Sequence, residues 1–305
     1  MDILSEAIAA IRTGNPTSGM FVRHAPWGRR YPVVPGAGFH VVLEGSCWLV
    51  PPTGAPMALG VGDVVFMPRG ADHDLVDSLG SSVTEYAQPG EPREISGPGV
   101  RAALLCGAYG LGRQRSHPLL DELPEFVHLP ARLGRHAALR GAVDLLVAEI
   151  AEPRPGSDAA VSALLDTLLL FILRAWLDEQ ARDRATGWAG ALADPAVAAA
   201  LRAVHDDPAR SWTVPDLSDV AGVSRATLAR RFTATVGEPP LTYVTRWRML
   251  AAARLLRETD SSIGVVARKV GYHSEFAFAK AFKREYGLAP GHYRRAEDKP
   301  PLVAV

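Results

Sequence analysis

A chain of 305 residues, 48% hydrophobic, 22% charged and with no net charge at neutral pH, has the composition of an ordinary globular protein and the length for two domains. Two cysteines exclude a disulfide scaffold. The greasiest stretch, TLLLFILRAWL, has only seven uncharged residues between Asp166 and Arg174, too few for a bilayer span.

In chain order, MDILSEAIAAIR has an early acid and no basic leader, so it reads as a short amphipathic helix and not as a signal peptide. Leu4, Ala7, Ile8 and Ile11 share its apolar face. A cytoplasmic setting is expected. From about residue 20 to 130, runs such as FHVVLEG, SCWLVPP, GDVVFMP and RAALLCGAYGL alternate with turn residues. This is the spacing of strands in a small sandwich or barrel. Helical character is predicted from near Leu133, with ALRGAVDLLVAEIAE amphipathic and PRPGSD ending it. A second helix, Ala159 to about Arg182, is apolar almost all round. It must be buried against the barrel or against another copy of itself. ARDRATGWAG is the expected hinge, and from Asp194 onward the chain reads as short helices.

The zero net charge conceals a split. Residues 194–297 carry 16 basic against 11 acidic side chains, and residues 1–193 carry 16 against 21, which directs a polyanionic partner to the C-terminal third alone. That third writes one frame twice: SRATLARRF (Ser224–Phe232) returns fifty residues later as SEFAFAKAF (Ser274–Phe282). The residues downstream also return, with Gly237, Pro240 and Tyr243 answered by Gly287, Pro290 and Tyr293. In each copy a short helix ends at a glycine (Gly222, Gly271). A serine (Ser224, Ser274) then caps a second helix whose buried face is Leu228 and Phe232, or Phe278 and Phe282. Leu217 and Val220 are predicted on the buried face of the first copy's leading helix, and Ile263, Val266 and Val270 on that of the second. Two helices joined by a tight turn make a helix-turn-helix.

The non-repeating residues lie on the opposite face of each second helix: Arg225, Ala226, Ala229 and Arg230, then Glu275, Phe276, Ala279, Lys280 and Lys283. A solvated face accounts for any one of these cations, but both faces together match what a major-groove reading helix needs. Between the copies, LTYVTRWRMLAAARLLRETD is one predicted helix of about 25 Å. Such a rod holds two reading helices near one turn of DNA apart.

Residues 211–295 resemble the DNA-binding domain of the AraC/XylS regulators, through both motifs and the signatures FTATVGEPPLTYV and FKREYGLAPGHYRR. The resemblance implies a bacterial transcription factor that binds double-stranded promoter DNA as a homodimer and touches RNA polymerase if it activates. The family's base-reading places fall on Ala226, Ala229 and Arg230, then Glu275, Phe276, Ala279 and Lys280. Two alanines among the first three shift that motif toward phosphate and shape contacts. Upstream, GDVVFMPRGADHDLVD resembles the second motif of cupin barrels, with Gly62, Pro68, Gly70, His73 and Asp77 in place. GFHVVLEGSCWLV looks like the strand bearing the first motif. Metal-dependent cupins carry two close histidines and a Glu there. Here the Glu place is Gly38 and no His-x-His precedes it, which implies a sensory barrel.

His73 matches that family's inward ligand, and His40 shares the strand face of Gly38. One reading makes them buried, hydrogen-bonded side chains; another makes them metal ligands, with Cys106 as a soft third. Cys47 and Cys106 are either small buried hydrophobes or a redox pair. The expected architecture is α+β, with a cupin-like sensing barrel (1–132), a helical dimerisation connector (133–192) and an all-α domain with two helix-turn-helix motifs (193–305). The expected function is transcription regulation, with the barrel sensing a small molecule, an oxidant or a metal. The alternatives are a metal-dependent cupin enzyme tethered to a DNA-binding domain, and a constitutive DNA-binding protein with an inert barrel.

Overall fold

Runs in which nearly every residue is apolar, such as FHVVL and VVFM, call for strands covered on both faces. The computed structural model, which describes residues 2–12, 15–85, 94–111, 117–132, 135–183 and 187–297, supplies that cover. The strands are β1 (Thr17–His24), β2 (Gly28–Tyr31), β3 (Ala37–Glu44), β4 (Cys47–Val50), β5 (Met57–Leu59), β6 (Val64–Met67), β7 (His73–Val76), β8 (Thr84–Glu85), β9 (Glu94–Ile95), β10 (Arg101–Tyr109) and β11 (Val127–Leu129). One sheet runs β11-β6-β3-β10-β1-β9 and the other β5-β4-β7-β2-β8. Val42, Val65, Met67 and Leu104 of the first sheet share a core with Leu49, Leu59 and Leu75 of the second. On the other face of the first sheet Phe39, Phe66 and Tyr109 form an aromatic cluster. The Tyr109 hydroxyl donates to the Leu165 carbonyl at 2.8 Å.

The barrel unit comprises residues 13–111 and 123–176. It therefore includes α3 (Ala137–Ala151) and most of α4 (Ser157–Asp183); Leu133 and Gly134, where α3 was expected to begin, lie outside the described residues. By composition alone α4 is long and apolar enough to cross a membrane. Its Leu165, Leu168, Leu169, Ile172 and Leu173 are fully buried within the chain, so most of its apolar surface needs no second copy. Among the apolar side chains it leaves half-buried are Leu164 and Phe171, seven apart on one stripe.

The helical unit comprises residues 1–12, 112–122 and 177–300, an interleaving that differs from the linear three-part division expected. Helix α1 (Ile3–Ile11) belongs here, capped by Asp2 and burying Ile3, Leu4, Ala7 and Ala10. Of its expected face Ile8 is half-buried, and the Ile11 side chain lies outside the described residues. The Arg257 guanidinium donates to the Ala10 and Arg12 carbonyls at 3.0 and 3.2 Å, satisfying free acceptors at the end of α1. Helices α2 (Pro118–Asp121), α5 (Gly187–Ala193), α6 (Pro195–Asp206), α7 (Val214–Ala221), α8 (Arg225–Val236), α9 (Pro240–Glu258), α10 (Ile263–Lys269), α11 (Glu275–Tyr286) and α12 (Pro290–Glu297) complete it. Residues 184–186 of the expected hinge lie outside the described residues, and the hinge's end is a buried helix, with Trp188, Ala189 and Gly190 inside α5.

Candidate nucleic-acid interface and effector site

Both expected helix-turn-helix motifs are present. Thr213 and Asp216 form a reciprocal capping box on α7, and Gly222 ends it with φ 65°. Ser224 and Ser274 accept from the Thr227 and Ala277 amides, each at 3.3 Å, and so cap α8 and α11. Gly271, left-handed at φ 81°, sits where an added Cβ would lie 2.7 Å from the Ala209 carbonyl; only glycine fits that turn. Leu228, Phe232, Phe278 and Phe282 are all fully buried. One expectation is corrected. Val220 is 44% exposed, and Ser218 takes its place inside, its hydroxyl donating to the Pro215 carbonyl. Val266 on α10 and Val270 at its C-terminal cap are buried as expected, and Ile263 is half-buried.

The opposite faces are open to solvent. Arg225, Ala226 and Arg230 on α8, and Glu275, Phe276, Lys280 and Lys283 on α11, are exposed; Ala229 and Ala279 are half-buried. Phe276 is 81% exposed, an aromatic ring left in water on a helix face of otherwise small or charged side chains. Such a ring suits the methyl group of thymine. The unit's arginines fall into two classes. Arg231 is paired with Asp194 at 3.4 Å and Arg254 with Glu258 at 2.9 Å, while Arg248 donates to the Pro208 and Arg210 carbonyls. Arg225, Arg230, Lys280 and Lys283 have no ion-pair partner among the described residues, so their charges are available to an anion. Helix α9, with 19 residues, is about 28 Å long.

In the barrel, His40 and His73 converge. Their Nε2 atoms lie 2.7 Å apart, His40 Nδ1 is 2.9 Å from Cys106 Sγ, and His73 Nδ1 is 2.9 Å from the Ala71 carbonyl. Burial holds both imidazoles below their ordinary value, with His73 adding to the effect on His40, so both rings are neutral at pH 7. The tautomers are then fixed one after another. A carbonyl only accepts, so His73 Nδ1 carries the proton and Nε2 accepts. His40 Nε2–H is the donor, which leaves His40 Nδ1 to accept from the Cys106 thiol. The result is a directed relay from thiol to carbonyl. Tyr31 stacks on His73 at 5.1 Å, and its hydroxyl lies 3.9 Å from Cys106 Sγ. A cavity of about 230 Å³ lined by Arg30, Val50, Pro51, Pro52, Asp72, His73 and Asp74 opens beside the relay's far end.

Burial pushes both thiols up to about 12, with Asp63 adding to the effect on Cys47. Cys47 is buried and free, as is Cys106. Among the described residues no three His, Cys, Asp or Glu side chains are arranged to hold one metal ion. His40 spends one nitrogen on Cys106 and the other on His73, and one ring cannot offer both to a single ion. At Gly38, an added Cβ would meet Met67 Cε at 3.1 Å, so methionine fills the place where the metal-dependent barrels carry a Glu.

A second polar cluster was missed by sequence reasoning. His117, Tyr243 and His205 form a buried hydrogen-bonded chain among Trp188 and Trp247. Its only trace in the sequence is HPLL, a capping residue ahead of a proline at a helix start.

Two family models match the chain: a cupin model over residues 2–178 and a helix-turn-helix domain model over residues 217–296. An AraC-like transcription regulator of Streptomyces lividans is 37% identical over 98% of this chain and 100% of its own length. The HTH-type transcriptional regulator MtrA of Neisseria gonorrhoeae is 32% identical over 97% of this chain and 98% of its own. Among solved structures, the DNA-binding domain of AdpA in complex with a target DNA is 34% identical. It covers 34% of this chain and 92% of that one, with a TM-score of 0.32.

Proposed function

The chain belongs to the AraC-type transcription regulators, with a cupin domain ahead of its helix-turn-helix domain, and from this premise we propose that it is a cytoplasmic, homodimeric regulator whose barrel reads a small molecule or oxidant at the Cys106–His40–His73 relay. The observation that carries the barrel assignment is the relay itself. Three polar side chains occupy a core that apolar residues would fill at lower cost, yet each has a partner and both imidazoles have a fixed tautomer. Two uses fit the cavity beside His73. A small polar ligand takes the His73 Nδ1 proton over from the Ala71 carbonyl, at the end of the relay beside the cavity. A two-electron oxidant such as hydrogen peroxide converts the Cys106 thiol to a sulfenic acid with release of water, which removes the thiol donor from His40. The thiol's raised pKa makes the second slow until the barrel opens, so the ligand reading leads. Catalysis has no part in either reading.

The test is binding of a duplex, selected by the full-length protein from a random pool, by the wild type and by Cys106→Ser, His40→Ala and His73→Ala, with and without hydrogen peroxide, zinc ion or cell metabolite extract. The expected result is that an addition which shifts the wild-type affinity leaves at least one relay variant unmoved. Uniform responses from all three variants would sink the relay as the sensor.

The dimer reading rests on Leu164 and Phe171, the apolar stripe that α4 leaves half-covered. Phe171→Glu is expected to give a folded monomer by light scattering, because a charge placed at a two-fold contact meets its own copy. Leu169→Glu buries a carboxylate inside the chain and is expected to be insoluble. A Phe171→Glu protein that remains dimeric would exclude this stripe as the interface.

A further inference from the structure

The helical unit contains six described residues, 117–122, that belong in sequence to the connection between β10 and β11. What holds them there is unusually specific for so short a piece. His117 is completely buried. Its Nδ1 accepts from the Leu119 amide at 3.2 Å, so in the neutral ring Nε2 is the donor, 3.2 Å from the Tyr243 hydroxyl. That hydroxyl keeps its own proton for His205 Nε2, 2.6 Å away. His205 stacks on Trp247 with ring centroids 3.6 Å apart, and His117 packs against Trp188 at 4.6 Å. Two further contacts flank the imidazole. Glu122 accepts from the Trp188 amide at 2.9 Å. Asp121 pairs with Arg246, which also pairs with Glu238 in the turn after α8.

Tyr243 is the point at which this segment reaches the DNA-binding machinery. It lies on α9, the rod between the two motifs, and its ring meets Phe232 of α8 edge-on at 5.7 Å. Phe232 is on the buried side of the helix that exposes Arg225, Ala226 and Arg230. The segment thus supports the first motif from behind and leaves its exposed face clear. The docking is finely balanced: His205 Nδ1 and the indole N–H groups of Trp188 and Trp247 are buried without a partner among the described residues, and each such group weakens the docked state.

We propose that His117 is a positioning residue for DNA recognition. Carried in on the chain that leaves barrel strand β10, it sets the first helix-turn-helix motif through Tyr243, and its docking is the link by which the barrel's state reaches α8. The proposal rests on the reading of the protein as a signal-responsive regulator. Cys106 of the relay lies on that same strand, eleven residues before His117 in the sequence. Docking is also pH-dependent. Burial holds His117 and His205 well below their ordinary value, and His205 and Arg246 add to the effect on His117. The other titratable groups around the segment are Tyr243 and the carboxylates of Asp121, Glu122 and Glu238, engaged as described. The depressed His117 favours docking fully above about pH 6.5, its undocked value, and that contribution is lost progressively as pH falls below it.

The experiment uses the full-length protein and the duplex that the wild type selects from a random pool. Affinity and footprint are measured for wild type, His117→Ala, His117→Gln and Tyr243→Phe, between about pH 7.5 and 5.5. His117→Ala is expected to weaken binding by about tenfold, typical of a coupling between sites, with protection lost over the half of the footprint nearer the first motif. Glutamine keeps an N–H donor, so His117→Gln should recover most of the affinity and show a shallower decline with acid. Tyr243→Phe should resemble His117→Ala. Should His117→Ala fail to fold, the glutamine and phenylalanine variants decide. Wild-type affinity in both, or loss spread evenly over both half-sites with an unchanged pH profile, overturns the proposal and leaves the regulator reading intact. A wild-type protein that selects no duplex overturns that reading and the proposal with it.

Discussion

Replacing Arg230 and Lys280 together by alanine is expected to weaken binding to the selected duplex by roughly 30-fold to 2 × 10⁴-fold. Each side chain is exposed on a different helix, on the face proposed to read DNA, and a good base contact is worth about 1–3 kcal/mol. The two sites share no partner, so their effects should add, and about 1.4 kcal/mol is tenfold. Arg231 serves as the control. It is a neighbour of Arg230 but is paired with Asp194, and its alanine variant should bind nearly as well as wild type. Anisotropy titrations at several salt concentrations separate the mechanisms. Loss of a phosphate contact lowers the salt slope by about one per cation and weakens all sequences alike, whereas loss of a base contact relaxes sequence preference. Wild-type affinity in the double variant would show that these faces do not read DNA.

Phe282→Ala is expected to destabilise the helical unit by about 3–5 kcal/mol, the range for truncating a buried aromatic. The ring is fully buried and packs against Tyr286, Tyr293 and Phe278 with centroids 4.6, 5.2 and 5.6 Å away. These rings join α11 and α12 into the core that also holds Met249, Leu256 and Val266, so the second motif loses its support. Operator binding should fall with the helical unfolding transition, while the barrel, which has its own core, melts as before. A thermal unfolding profile identical to wild type would contradict this packing account.

The repeated frame carried most of what could be read from the sequence. A helix-turn-helix is a local structure: a glycine in the left-handed region, a capping serine and two apolar residues one turn apart specify it almost completely. Gly222, Ser224, Leu228 and Phe232, and Gly271, Ser274, Phe278 and Phe282 in the second copy, took the expected places. Val220 failed because the helical period fixes only the direction of a side chain, and whether something stands there to cover it depends on distant chain. The strands of the barrel were legible as apolar runs between turns. Their order, with β3 between β6 and β10, was not, since nothing in a strand's own residues names its neighbour.

For the candidate sites the division is sharper. From the sequence came the exposed cations of α8 and α11, and the suggestion that His40 and His73 share an interior. Whether those histidines hold a metal or form a relay depended on a few ångströms and on the Ala71 carbonyl, which fixes the tautomers from one end; the sequence contains no sign of that carbonyl's direction. The same holds for α4, whose apolar surface is compatible with a partner copy or with burial at home, and only the fold assigned Leu169 to the second. The His117–Tyr243–His205 chain lay furthest from view, joining residues 117, 205 and 243 through single hydrogen bonds. Local patterns are written in the sequence because they depend on neighbours three or four residues apart. A buried polar network depends on the meeting of side chains that the chain brings together only after its apolar surfaces have packed, and so it is decided by the tertiary structure alone.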